Sequence, residues 1–188
     1  NSEGTKTNEY DNVSLAKVEI AAKHLQNSTV VIEYKIKVKN NGELAGYVKN
    51  IVDYKPTDLT FNSSLNPEWY QEEGNLHTTS LANTKLEAGE EKELTLVLTK
   101  TMTESNTGLV NNTAEISEAY NNLGIDDVDS TPGNKQKSED DMGSCNCIIS
   151  VKTGVAITYI TLTLSIIAVM AVGTYIISRK VLNKEIKF

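Results

Sequence analysis

The chain has 188 residues, 39% hydrophobic and 23% charged, with two Cys and two His. That length suits one domain with an appendage. Its formal net charge of −7 excludes a polyanion such as nucleic acid as the natural partner, and two Cys with two His leave little for a zinc site or a His- or Cys-based active site.

Residues 1–10 carry no apolar periodicity and read as a flexible N-terminal segment. Residues 11–121 read as one strand-rich domain. Val18, Ile20 and Ala22 hint at a first strand. The cleanest strand alternates Val30, Ile32, Tyr34, Ile36 and Val38 with Val31, Glu33, Lys35, Lys37 and Lys39. One apolar face and one mostly charged face are what a half-buried strand requires. Asn40-Asn41-Gly42 marks a turn, since Asn and Gly tolerate positive φ. Gly46 to Tyr54 forms another strand, ended by Lys55-Pro56. Leu94, Leu96 and Leu98 alternate with Thr95, Val97 and Thr99, and Ala114, Ile116 and Tyr120 close the series. Gly74-Asn75 and Ala88-Gly89 punctuate the runs. Short strands at this spacing, with no convincing helix in the body, predict an all-β, antiparallel β-sandwich, with a partly open barrel as the only rival. A lone Trp69 suits its core or edge, and Trp69 with Tyr70 is also the place to look for a sugar- or protein-binding patch.

Residues 122–153 change character and read as an acidic linker. Asp126, Asp127, Asp129, Glu139, Asp140 and Asp141 gather there, and Thr131-Pro132-Gly133-Asn134 predicts a turn. Two readings of the carboxylates stand. Oxygen ligands on a loop suit calcium, and Asp127, Asp129 and Thr131 begin with calcium-loop spacing. The spacing then breaks: Pro132 stands where such a loop needs Gly, and Glu139 falls one position late. The other reading is a solvated spacer that needs no cofactor. Cys145 and Cys147 are too close for an easy mutual disulfide and read as incidental, with a bridge between chains as the alternative.

The segments Glu33–Glu43 (EYKIKVKNNGE), Gly46–Phe61 (GYVKNIVDYKPTDLTF), Leu86–Thr101 (LEAGEEKELTLVLTKT), Leu109–Asn121 (LVNNTAEISEAYN) and Asp126–Asp141 (DDVDSTPGNKQKSEDD) follow one another in a recognisable order. That order resembles the conserved-repeat domain of bacterial surface proteins, domain of unknown function eleven, over about residues 11–141. The resemblance implies an immunoglobulin-like sandwich, repeated in tandem on a Gram-positive surface stalk or adhesin. Surface sandwiches of that kind can join Lys to Asn through an isopeptide bond. Lys17 and Asn112 lie in suitable strands, with Glu33 or Glu115 as the helping carboxylate.

Ser150-Val151-Lys152-Thr153-Gly154 resembles a sortase sorting signal of the looser form, Ser or Asn, Pro or Val, any residue, Thr-Gly. The resemblance implies cleavage after Thr153 and transfer to cell-wall peptidoglycan. The alternative is an uncleaved anchor.

Gly154–Ser178 contains no charged residue in 25 positions. As a helix it would measure ~37 Å, enough to cross a ~30 Å hydrocarbon core. Tyr159 and Tyr175 fall near its ends, and Arg179 and Lys180 follow as a stop-transfer signal. Residues 154–178 are therefore expected to be one C-terminal transmembrane α-helix. Residues 179–188, net +3 against −10 for residues 1–178, are expected in the cytoplasm with the body outside. Export of the body needs a signal upstream of Asn1, so the chain is expected to continue a longer protein. No nucleophile–base pair or phosphate loop is evident around His24, His77 or the Ser and Thr residues. The expected function is a non-enzymatic cell-surface stalk and anchor, with membrane, sortase and peptidoglycan as partners. An adhesin holding a host protein or glycan, and the anchor of an exported hydrolase lying upstream, are the alternatives.

Overall fold

A computed structural model describes residues 5–10, 15–26, 28–125, 130–152 and 159–167. Twelve strands make up most of it: β1 Thr5–Tyr10, β2 Leu15–Ala21, β3 Thr29–Lys39, β4 Gly46–Asp53, β5 Thr60–Phe61, β6 Tyr70–Glu72, β7 Asn75–Thr78, β8 Lys85–Leu86, β9 Glu91–Thr101, β10 Gly108–Tyr120, β11 Met142–Lys152 and β12 Tyr159–Ile167. They form two sheets. One runs β1-β12-β3-β9-β5. The other runs β2-β11-β10-β4-β7-β6, with β8 also on β4.

The period-two residues build this arrangement. Val30, Ile32, Tyr34, Ile36 and Val38 of β3 are all buried, and so are Leu94, Leu96 and Leu98 of β9. They meet Val48 and Ile51 of β4, Val110, Ala114 and Ile116 of β10, and Ala16, Val18 and Ile20 of β2 in one core between the sheets. The outward face of β3 and β9 carries charge instead. Lys35 there pairs with Glu33 and Glu93, both at 3.3 Å. Trp69 is buried and its Nε1 donates to the Thr95 carbonyl at 2.9 Å, so it fills the core.

Thr5–Tyr10, expected in a flexible N-terminal segment, instead form the edge strand β1. Three further features differ from expectation. First, the sheets are mixed. β2 runs parallel to β11, β12 parallel to β3, and β1 parallel to β12. A parallel pair needs a long crossover, and here the body of the sandwich is the crossover between β2 and β11.

Second, Met142–Lys152 is not spacer. It is β11, inserted between β10 and β2 in the middle of its sheet. Cys145, Cys147 and Ile149 alternate inward, while Ser144, Asn146 and Ile148 take the other face.

Third, Tyr159–Ile167 is a strand rather than part of a helix. The segment alternates Tyr159, Thr161, Thr163 and Ser165 with Ile160, Leu162, Leu164 and Ile166, and β-branched and aromatic residues favour a strand. Leu162, Leu164 and Ile166 fall in register with Ile32, Tyr34 and Ile36. No helix among the described residues is long and apolar enough to cross a membrane. Arg179 and Lys180 lie outside the described residues.

Candidate functional site

The sandwich buries an unusual set of polar groups at one level of its core. β4 ends on Asp53, and β10 passes beside it with Asp53 in register with Ala114. Asn112, two residues earlier on β10, is opposite Cys145 of β11. Asp53 and Asn112 are both fully buried, and Asn112 Nδ2 donates to Asp53 Oδ2 at 2.6 Å. Burial pushes the Asp53 carboxyl up to about 7, against the pull of the Asn112 hydrogen bond and the Lys55 charge. Asp53 Oδ1, Asn112 Oδ1 and the Tyr34 hydroxyl have no hydrogen-bond partner among the described residues. Burial also drives the Tyr34 phenol well above its ordinary value, with the charges of Cys145 and Asp53 adding to the effect. Both thiols are free and buried, and burial pushes each up to about 12, so neither is a ready nucleophile or cross-linker. Lys100 is buried on β9 and pairs with Asp58.

A second cluster ties the acidic loop to the outer side of β10. The Glu115 carboxylate is fully buried there. It accepts from the Tyr54 hydroxyl and, at 2.9 Å, from the Lys135 backbone N–H. The Gly133 N–H donates to the Ile116 carbonyl at 3.2 Å, and the Ile116 N–H donates to the Asp141 carbonyl at 2.9 Å. Lys135 Nζ lies 4.7 Å from the Tyr54 ring centroid. Glu139 closes the loop on itself, accepting from the Thr131 N–H at 2.7 Å and from Asn134 Nδ2 at 3.0 and 2.9 Å. The predicted Thr131–Asn134 turn is thus part of an ordered strap.

The residues singled out from the sequence fall as follows. Lys17 is exposed on β2 whereas Asn112 is buried, so the two are not brought together for an isopeptide bond. Glu33 lies on the outer face in an ion pair with Lys35, and Glu115 holds the strap. Asp126, Asp127 and Asp129 lie outside the described residues. Asp140 and Asp141 precede β11, with Asp141 buried. Among the described residues no group of three or more His, Cys, Asp or Glu could hold a metal ion. Ser150, Val151 and Lys152 are the end of β11, in register with Glu19, Ile20 and Ala21 of β2; Thr153 and Gly154 lie outside the described residues. His77 Nδ1 on β7 accepts from Asn50 Nδ2 at 3.2 Å, and its ring stacks with Tyr70 at 5.6 Å.

Sequence reasoning found Asn112 but missed Asp53. The signal was an acid closing the apolar run Ile51-Val52, directly before Tyr54-Lys55-Pro56. Comparison of the chain with protein families, curated proteins and solved structures finds no match.

Proposed function

We propose that the chain is a non-enzymatic cell-surface module: an immunoglobulin-like sandwich that spaces and tethers whatever precedes it to a bacterial envelope. The observation that carries this reading is the run Gly154–Ser178, 25 positions without a charge, followed at once by Arg179 and Lys180. The two-layer architecture, with successive strands β2, β3 and β4 crossing from one sheet to the other and back, supports the immunoglobulin-like part. Anchoring gives the acidic body an outside location and the basic tip an inside one. Ser150–Gly154 then serves as the sortase substrate, with transfer to peptidoglycan at Thr153.

The strand order supports a load-bearing role. β2 and β11 lie side by side and parallel over seven register pairs, Leu15–Ala21 with Asn146–Lys152. Tension applied before β2 and after β11 pulls the two strands along their length in opposite directions. Their hydrogen bonds are then sheared together instead of being opened one at a time.

A second reading, a binding face for a glycan, rests on β4, β10, β6 and β7 of the same sheet. Tyr47 stacks on Tyr120 at 4.8 Å and Tyr70 on His77 at 5.6 Å, with Tyr70 and Tyr120 exposed. Trp69 takes no part, being buried.

The test is made on intact cells. The wall is digested with a muramidase, and the C-terminal residue of each recovered form is determined. A chain ending at Phe188 in the membrane fraction supports a permanent anchor. A chain ending at Thr153 on wall peptide supports sortase transfer. A chain ending at Phe188 in the soluble fraction overturns the anchor.

A further inference from the structure

The Asp53–Asn112 contact has an odd hydrogen-bond count. Asn112 Nδ2 donates to Asp53 Oδ2 at 2.6 Å, which leaves Asp53 Oδ1 and Asn112 Oδ1 buried and without a partner among the described residues. An ionised carboxylate only accepts. As an anion, Asp53 would have no proton to offer, so neither its Oδ1 nor Asn112 Oδ1 could satisfy the other. Buried polar atoms are rarely left so. One proton changes the count. Placed on Asp53 Oδ1, it makes an O–H that donates to Asn112 Oδ1. Acid and amide then close a ring of two hydrogen bonds, and the two unmatched oxygens become one bond.

We propose that the core of this domain is a proton-binding site, in which Asp53 is held as a neutral carboxylic acid paired through two hydrogen bonds with Asn112.

The surroundings agree with a neutral acid. Lys55, two residues along the chain, has its ammonium on the Pro56 and Leu59 carbonyls at 3.2 and 2.8 Å. Lys100, from β9, pairs with Asp58. From β3 the facing group is the Tyr34 phenol, and from β11 the Cys145 thiol, both neutral near pH 7. Glu115 and Tyr54 engage each other and the strap. Among the described residues no cation forms an ion pair with Asp53; the Lys55 charge acts on it only from a distance and against the larger effect of burial.

The consequence is a stability that depends on pH. The folded state keeps the proton to about pH 7, whereas the unfolded chain releases it near 3.8. The folded state therefore binds more protons across that window, so stability is highest below it and falls as pH rises towards 7. Above about 7 the proton is gone from both states and the slope ends. Over the window the folding equilibrium constant falls as pH rises. The ring joins β4 to β10, so its opening loosens the middle of the sheet.

The test uses the full chain in detergent. Infrared spectra are recorded against pH for the wild type and Asp53→Asn. An amide at position 53 can accept from Asn112 Nδ2 and donate to Asn112 Oδ1 without any proton. A carboxylic-acid carbonyl band is expected in the wild type that fades only near neutrality and is missing from Asp53→Asn. The urea midpoint of Asp53→Asn should lose the decline with rising pH and exceed the wild type at pH 8. An acid band that disappears near pH 4, or a variant that declines in step with the wild type, overturns the proposal. Should Asp53→Asn fail to fold, Asn112→Ala removes the ring partner. The wild-type band must then move in both frequency and midpoint; an unchanged band also overturns it.

Discussion

Gly133 shows how one residue decides a surface segment. Its φ is +79°, a conformation that strains any L side chain, and a Cβ built there would come 3.2 Å from the Ser117 carbonyl oxygen. That carbonyl sits in an irregular stretch of β10, where the register to β4 shifts between Ile116 and Glu118. The strap and the bulge are thus shaped to each other. Gly133→Ala should cost about 1–3 kcal/mol through backbone strain, and it should act on the strap more than on the core. Hydrogen exchange would register this as faster exchange at the Lys135 and Gly133 amides. An unchanged unfolding midpoint with unchanged exchange would show that the strap adapts freely. Asp53 gives the complementary lesson. A buried carboxyl is invisible in a sequence pattern, because an acid at the end of an apolar run looks the same whether it faces solvent or core.

At the scale of elements, β3 and β9 were legible because each alternates with period two, the pattern of a strand buried on one face, while β4 and β10 follow it only in part. β11 was not, for two physical reasons. It follows an acidic segment without apolar periodicity, and its small inward residues, Gly143, Cys145 and Cys147, carry a weak hydrophobic signal. Its neighbours explain the choice of small residues: Asn112 is in register with Cys145, and the polar pair with Asp53 crowds that level. The strand and spacer alternatives differ in a simple observable. As part of β11, both thiols are buried and should stay unreactive towards an aromatic disulfide reagent until the sandwich unfolds. In urea, labelling should follow the global unfolding curve. Immediate labelling of both thiols in native buffer would place 142–152 outside the domain.

At the scale of the whole molecule, pairing order was the least legible property. Period two tells which residues face a core, and says nothing of which strand lies beside which. The parallel pairs β2–β11 and β3–β12 join residues more than a hundred positions apart, so only closure of the sandwich can select them. Such distant pairing forms late and slowly, after local hairpins such as β6–β7.

The run Gly154–Ser178 carries two patterns at once, and the conflict has a testable outcome. Its length and lack of charge suit a bilayer, where a helix satisfies every backbone group within itself. Its central alternation suits a strand, and as β12 it lies on the edge of β3, with Thr161–Ile167 in register with Val31–Lys37. In water, pairing with β3 shields Tyr159–Ile167; under the proposed anchor, a bilayer-spanning helix would bury its apolar residues in lipid and β12 would have to leave the sheet. β3 then keeps its β9 neighbour over Thr29–Lys39 and loses its other one. Transfer of the full chain from detergent-free buffer to lipid nanodiscs should therefore raise helical circular dichroism. It should also speed hydrogen exchange at alternate β3 amides, those directed at β12, while those directed at β9 stay protected. Helix gain with all β3 amides still protected would mean that another part of the chain takes the vacated edge. No helix gain and no change at β3 would mean that the segment stays in the sheet, and the anchor would have to be sought elsewhere than in residues 154–178.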